Sequence, residues 1–241
     1  MTEQLNKNFY EQSGVAMTCR SFAEYEAMFG LHAQSLKGLR LADIAAGASS
    51  FSASAREHGA DAYAFDPRYG EPLTVWEASA RLEIDVSTAK LDALKEKYDW
   101  SFYGDLERHK RNRLDSLGIC HADRKRGAAE GRYVAASLPR LPMPDSVFDL
   151  VLCSHFLFLY AEQFGIEFHR DSLLEMMRIC RPGGRVLVYP LLSLRSEEIS
   201  GMDALLEAIR TAGGEPTFFR SGLPFLPESV QGLEIRMPRL G

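Results

Sequence analysis

The chain has 241 residues, 46% hydrophobic and 25% charged, a composition typical of a folded globular protein and unlike disordered, collagen-like or coiled-coil chains. Its 28 basic and 33 acidic residues give a formal charge of −5, which argues against a surface wholly devoted to nucleic acid. The polar N-terminus has no secretory core, and the most apolar stretch, 147–160, is too short to span a bilayer. Four scattered cysteines match neither a disulfide framework nor a zinc site, so we expect a cytoplasmic protein. Because the apolar stretch is short, we expect no membrane partner.

The first elements alternate between strand and helix. Apolar residues at three- and four-residue intervals over 22–36 predict a short amphipathic helix before the main fold. An apolar run at 39–45 predicts a buried strand, and a helical stretch at 49–58 and a second short strand at 61–66, closed by Pro67, follow. Strand, turn, helix and strand in this order predict a right-handed βαβ unit.

The alternation stops between residues 68 and 131 and then resumes. This charged segment is too long for a structureless loop, so we expect a helical insertion, with helical spacing over 78–98. The rest of the chain predicts strands and helices that continue a three-layer α/β sandwich. These are strands at 132–136, 147–153 and 186–191, helices at 167–180 and 202–212, and a terminal antiparallel pair at 217–219 and 233–237.

Small residues and carboxylates gather at the carboxyl ends of the predicted strands, where parallel sheets bind ligands. Asp43 ends the first strand, and the small residues up to Gly47 would let a ligand approach the backbone. Asp66 ends the second strand, about twenty residues later, where a carboxylate can accept hydrogen bonds from ribose hydroxyls. These features predict a nucleoside-bearing cofactor, although simple packing of the small residues and turn capping by Asp66 stay open. No G-x-G-x-x-G or Walker motif is present.

The run L-A-D-I-A-A-G-A-S-S-F at 41–51 resembles motif I of the class I S-adenosylmethionine (SAM)-dependent methyltransferases, an acidic residue followed by G-x-G-x-G. Segments 141–151 and 178–187 are similar to that family's L-P-F-x-D-x-S-F-D-x-V run and L-x-P-G-G-x-L turn. Within the latter, Pro182 and Gly183 suit a type II turn. The resemblance spans roughly residues 39–194 apart from the insertion. It implies a seven-stranded, mostly parallel Rossmann-like sheet with an antiparallel C-terminal strand and a helical insertion after strand two.

The resemblance implies residues for the methionine end of SAM. Asp43 would organise the end of strand one and help to hold the ammonium group. Ala45, Ala46 and Gly47 would line the methionine portion, with Ala45 in place of the family's first glycine. Arg20, in the segment before the fold, would meet the methionine carboxylate unless that segment only covers the sheet.

The resemblance also implies residues for the adenosine end. Asp66 would hold the ribose and Pro67 would lie against the adenine. Ser137 and Leu138 stand where the family contacts the adenine edge, with Ser137 replacing the usual aspartate. The cofactor would be SAM and its product S-adenosylhomocysteine.

Ser154 and His155 follow the predicted fourth strand, where this family faces both the methyl donor and the acceptor. His155 is a candidate general base, because its ordinary pKa lies near neutrality. A buried structural histidine is the competing interpretation, since alignment of nucleophile, carbon and sulfur supplies much of the acceleration in methyl transfer.

The insertion carries a basic cluster diluted by acidic neighbours, which is typical of a solvated helix face and less so of an RNA-docking surface. Its members are Arg108, Lys110, Arg111, Arg113, Arg124, Lys125 and Arg126. Four aromatic residues would line its inner surface or form its own small core: Trp76, Trp100, Phe102 and Tyr103.

We therefore expect one methyltransferase-like domain over 1–241, with an N-terminal helical lid at 1–38 and an insertion at 68–131 that acts as a lid or recognises the acceptor. The expected activity is SAM-dependent methylation of an O or N atom of a small molecule. Two alternatives stay open: an RNA methyltransferase that uses the basic insertion, and a non-catalytic SAM-binding regulatory module.

Overall fold

The computed structural model describes residues 10, 12, 14–127 and 130–239. Its strands are β1 (Arg40–Ile44), β2 (Asp61–Phe65), β3 (Tyr133–Val134), β4 (Phe148–Ser154), β5 (Cys180–Tyr189), β6 (Glu215–Arg220) and β7 (Gln231–Arg236). They form one seven-stranded sheet in the order β3-β2-β1-β4-β5-β7-β6. The first five strands pair in parallel, and β7 is antiparallel to both β5 and β6. The predicted fold class and the terminal antiparallel pair are confirmed.

The strand order reverses direction at β1, which lies between β2 on one side and β4 on the other. The last residue of β1, Ile44, is in register with Phe65 of β2 and with Cys153 of β4. The loops that follow these three strands therefore leave the sheet at one edge. This is the place where open parallel sheets bind ligands.

Helices cover both faces of the sheet. They are α1 (Phe22–Phe29), α2 (Ala33–Leu36), α3 (Phe51–Glu57), α4 (Leu73–Ala93), α5 (Leu106–Gly127), α6 (Ile166–Ile179) and α7 (Met202–Thr211), with short 3₁₀ turns at Pro67–Gly70 and Lys95–Lys97. One apolar cluster joins α6 and α7 to the sheet through residues such as Met176 and Ile209. A second joins α1 and α3 to the sheet through Tyr25 and Phe51, whose rings stack at 4.3 Å. Burial of these two clusters produces the three layers.

Two predicted elements differ from the structure for local reasons. The single helix predicted over 22–36 is two helices, because Gly30 adopts a left-handed conformation (φ +62°) that ends α1. A capping box between Ser21 and Glu24 begins α1. The fifth strand begins at Cys180, earlier than predicted, and Gly183 has the positive φ (+79°) expected at its turn.

The predicted helical insertion consists mainly of α4 and α5, which pack against each other. Their inner faces meet the carboxyl end of the sheet in a third apolar cluster. That cluster includes Trp76 of α4, Leu117 of α5, Met17 and Cys19 from the N-terminal segment, and Ala46 from the loop after β1. Among the described residues, no helix has both the length and the apolar character needed to cross a bilayer.

Candidate active site

Asp43 is a completely buried carboxyl group near the end of β1. Its Oδ1 accepts a hydrogen bond from the Tyr25 hydroxyl at 2.9 Å, while its Oδ2 has no hydrogen-bond partner within the described part of the chain. Burial raises the pKa of Asp43 to about 8, against the opposing effect of the Tyr25 hydrogen bond. The group is therefore mostly protonated at neutral pH in this conformation, with one oxygen left for a polar ligand.

Asp66 links the ends of β1 and β2. Its Oδ2 accepts a hydrogen bond from the Gly47 backbone N–H at 3.0 Å, and its Oδ1 accepts one from Arg68 N–H at 2.9 Å. The second bond caps the short 3₁₀ turn that begins at Pro67, so the turn-capping role is real. A carboxylate has about four acceptor positions, which leaves lone pairs for a diol.

Atoms of Met17 and Thr18 occupy the space beside the backbone bend between Ala45 and Ala48. Ala45 and Gly47 both have positive φ (+55° and +58°), which costs about 1 kcal/mol at an alanine. A Cβ on Gly47 would lie 2.8 Å from the Thr18 carbonyl oxygen, and Ala48 N–H donates to that oxygen at 2.9 Å. The room that Gly47 leaves is thus taken by Thr18, where the sequence predicted room for a ligand.

Residues 16–20, which we call the strap, lie across this loop. The Arg20 carbonyl oxygen accepts hydrogen bonds from Ser50 N–H (3.0 Å), Ser49 Oγ (2.9 Å) and Ser116 Oγ (2.8 Å). Met17 and Cys19 are buried beneath α4 and α5. The two carboxyl groups and the free Oδ2 suit SAM chemically, but the strap closes the face of Gly47 in this conformation.

The residues predicted for the adenine lie in two different settings, exposed loops and the apolar core. Pro67 and Ser137 are exposed, in the neighbouring loops after β2 and β3. Leu138 is buried and its side chain belongs to the apolar core. The structure therefore brings the loops together but leaves the Leu138 side chain unavailable to an adenine.

A cavity of about 170 Å³ lies beyond the strap, lined by residues of the strap, of α4 and α5, and of the loops after β4 and β5. Arg20 and His155 line it, whereas Asp43, Gly47 and Asp66 do not. Its volume is below the roughly 300–1,000 Å³ of typical drug-sized ligand pockets. The cavity therefore suits a small molecule.

His155 sits at the wall of this cavity in a left-handed conformation (φ +52°). Its backbone N–H donates to the Tyr189 carbonyl oxygen at 2.6 Å, and its Nδ1 lies 3.0 Å from Ser154 Oγ. Burial, together with the charges of Arg20 and Arg113, holds the pKa of His155 well below its ordinary value. The imidazole is neutral at pH 7 and is a weak base.

A buried ionic network beside the cavity was not visible in the sequence. Glu24 is completely buried and accepts from Arg113 Nη1 at 2.6 Å, from Arg20 Nη1 at 3.1 Å and from the Tyr103 hydroxyl at 2.6 Å. Burial alone would raise the pKa of Glu24, but Arg113 and Arg20 lower it to about 2. The (i, i+4) spacing of Arg20 and Glu24 was the only signal, and it does not distinguish a buried pair from an exposed one.

The basic cluster of the insertion is divided between surface and interior. Arg113 is buried against Glu24, and Arg124 is buried with its guanidinium 4.7 Å from the Trp76 ring centroid. Trp76 and Tyr103 are buried beside these arginines, whereas Phe102 is exposed. The prediction of a wholly solvated face is wrong for these two arginines, and the surface that RNA docking would need is correspondingly reduced.

The methyltransferase domain family matches residues 115–188, from within α5 to β5. An uncharacterized protein of Methanocaldococcus jannaschii is 26% identical over 189 residues, covering 78% of this chain and 83% of that protein. A similar solved structure is 1,6-didemethyltoxoflavin-N1-methyltransferase of Burkholderia thailandensis with bound 1,6-didemethyltoxoflavin and S-adenosylhomocysteine. It has a TM-score of 0.52 and 17% identity, covering 90% of this chain and 78% of that one. The likeness in fold and the family match confirm the resemblance predicted from the sequence.

Proposed function

Because the chain has the class I methyltransferase fold and carries a methyltransferase-domain match, we propose that it is a SAM-dependent methyltransferase acting on an O or N atom of a small molecule. The methyltransferase of the same fold from Burkholderia thailandensis, solved with a small molecule and S-adenosylhomocysteine, supports both the donor and the class of acceptor.

The observation that carries this proposal is the hydrogen bond between Gly47 N–H and Asp66 Oδ2 at the point where the strand order reverses. In our proposal the spare lone pairs of Asp66 accept from the ribose hydroxyls of SAM. Asp43 gives up its proton when the ammonium group of SAM approaches, because a nearby positive charge favours the carboxylate, and Oδ2 then accepts from that group. Ala45 and Ala46 face the methionine chain. Pro67, Ser137, the backbone of Leu138, and Ser154 complete the predicted donor site.

Donor binding requires the strap to leave Gly47. The Thr18 carbonyl oxygen and the Met17 side chain occupy the face of Gly47 that the donor would approach. The strap is held to the loop by hydrogen bonds and two buried side chains, contacts that can break without disturbing the sheet. We propose that SAM enters by displacing the strap from the loop, while the Arg20 side chain keeps its hydrogen bond to Glu24.

The cavity beyond the strap is our proposed acceptor site, with the insertion helices α4 and α5 as its lid. When bound, SAM supplies a methyl group activated by a sulfonium, so the residues here need mainly to position the acceptor and exclude water. Neutral His155 at the cavity wall can accept or donate a hydrogen bond and so orient the acceptor. Its low pKa does not favour a general-base role.

Calorimetric titration with SAM tests the proposal. We expect wild-type protein to bind SAM and Asp66→Ala to bind it about 10- to 100-fold more weakly, since hydrogen bonds to a charged group are worth about 1.5–3 kcal/mol. Asp61→Ala is a matched control, because Asp61 lies at the other end of β2 and pairs with Arg40 and Arg132. Absence of SAM binding by every variant would refute the proposed donor.

Incubation of the protein with SAM and a set of small acceptors distinguishes a methyltransferase from a non-catalytic regulatory module. Methylated product, identified by mass spectrometry, is expected from at least one amine or hydroxyl compound that also binds in the cavity. Tight SAM binding without any methylated product would favour the non-catalytic alternative.

A further inference from the structure

The proposed acceptor cavity contains two oppositely charged side chains, each with an unused buried atom. Arg20 Nε and Glu83 Oε1 are both buried and have no hydrogen-bond partner within the part of the chain that the structure describes. Both residues line the cavity. A buried polar atom without a partner is costly, so each favours a ligand that satisfies it.

Arg20 and Glu83 do not pair with each other. The Arg20 guanidinium contacts Glu24 through Nη1 and leaves Nε free, although Glu83 borders the same cavity. Both charges act on two phenols at the cavity wall, Tyr10 and Tyr160, and Tyr160 shows the effect. Burial raises its pKa, and the charge of Glu83 raises it further while that of Arg20 lowers it. A positive and a negative group thus line the same cavity without a salt bridge between them in the described part of the chain.

The remaining charges around the cavity balance one another. Arg113 also lines it but is neutralised by Glu24, while burial lowers the pKa of His109 and of His155, so both rings are neutral. The rest of the lining is mainly aromatic and aliphatic, including Tyr10, Tyr98, Tyr160, Leu91, Leu159 and Leu226. The cavity therefore offers one cationic donor and one anionic acceptor in an apolar surround.

We propose that the acceptor is a small amino-acid zwitterion, whose carboxylate accepts from Arg20 Nε and whose ammonium donates to Glu83 Oε1. This rests on the proposed function, because it takes the cavity to be the acceptor site. The methionine end of SAM has the same chemistry, but of the residues predicted to hold the donor only Arg20 lines this cavity. We therefore assign Arg20 to the acceptor in place of the methionine carboxylate.

Thermal-shift and calorimetric titrations with the twenty amino acids, each with and without saturating S-adenosylhomocysteine, test the assignment. We expect at least one apolar amino acid to bind, and to bind the preloaded protein as well as the free one. Its analogues lacking the amino or the carboxylate group should each bind about 10- to 100-fold more weakly, the fold-change for one charge-assisted hydrogen bond.

Two variants should give a crossed pattern that a merely structural role cannot produce. Glu83→Gln should abolish the preference for the amino acid over the analogue that lacks the amino group. It should keep the preference for the amino acid over the analogue that lacks the carboxylate group. Arg20→Gln should do the reverse. Glu77→Gln and Arg81→Gln, on the same helix as Glu83 but outside the cavity, are matched controls that should change neither preference.

Each other outcome overturns the proposal. If no amino acid binds in either condition, the zwitterion assignment is wrong. If the best amino acid competes with S-adenosylhomocysteine, the head group belongs to the donor and the acceptor assignment is wrong. These readouts are separate from methyl transfer, so loss of the proposed activity and loss of this binding site are distinguished.

Discussion

Ser116 on α5 gives a direct way to loosen the strap without touching the donor residues. Its hydroxyl donates to the Arg20 carbonyl oxygen at 2.8 Å and accepts from Ser50 N–H at 3.0 Å. In Ser116→Ala, the Arg20 oxygen still has Ser50 N–H and Ser49 Oγ as donors, and Ser50 N–H still has the Arg20 oxygen. Because no buried group is orphaned, the loss should be about 1 kcal/mol, the net value of an ordinary hydrogen bond.

That loss corresponds to about a five-fold larger population of the open strap and, if the strap blocks the donor, to about five-fold tighter SAM binding. Cys19 reports the opening, because its thiol is buried on the strap and burial raises its pKa to about 12. We expect its alkylation, followed by mass spectrometry, to become about five-fold faster in Ser116→Ala and to accelerate when SAM is added to wild-type protein.

Cys153 is the internal control, a thiol equally buried in β4, and should keep its rate. Ser52→Ala is the control variant, since Ser52 is buried in α3 and its hydroxyl donates to the Tyr63 carbonyl oxygen. Faster alkylation of Cys19 in Ser116→Ala with unchanged SAM affinity would refute the claim that the strap lies in the donor's path.

Three further predictions concern buried titratable groups. The pKa of Asp43 is about 8 in the folded protein, against an ordinary value of 3.8. Between these two values the unfolded chain loses the proton and the folded protein keeps it, so the contribution of Asp43 to the free energy of unfolding is full below about pH 4 and is lost as the pH rises towards 8. Asp43→Asn should therefore flatten the fall in unfolding free energy between pH 5 and 8 in urea titrations, and curves parallel to wild type would contradict this. Arg113→Ala leaves the buried Glu24 with weaker compensation and should cost about 3–5 kcal/mol by urea denaturation. The exposed Arg111→Ala should cost less than about 0.5 kcal/mol, and equal losses would show that the network is not buried. His155→Asn, which suits the left-handed backbone, should keep turnover within about ten-fold, and a loss beyond about 100-fold with unchanged SAM affinity would restore the base role.

The sheet was predictable because its strands are short apolar runs separated by helices, a pattern that fixes both strand direction and the edge where ligands bind. The placement of Asp43, Gly47 and Asp66 at this edge followed from the same pattern and agrees with the structure. The break at Gly30 was harder, because the apolar spacing continues on both sides of it.

The positions of the strap and of the Glu24 network could not be predicted from the sequence, because both depend on tertiary contacts. Residues 16–20 have no periodic pattern, and their position depends on the shape of the Gly47 bend and of the insertion. Arg113 looks like its solvated neighbours in a charged helix, and only the tertiary approach of α1 supplies its buried partner. The same limit applies to Glu83, whose role depends on which cavity its helix face borders.

A crystal structure with S-adenosylhomocysteine would show whether Asp66 holds the ribose and whether the strap moves away from Gly47. We predict ribose oxygens within about 2.6–3.2 Å of the Asp66 carboxylate and a Thr18 carbonyl oxygen that has left Ala48 N–H. A complex in which the ligand is bound elsewhere while the Thr18–Ala48 hydrogen bond persists at its present 2.9 Å would contradict both the proposed donor site and the movement of the strap.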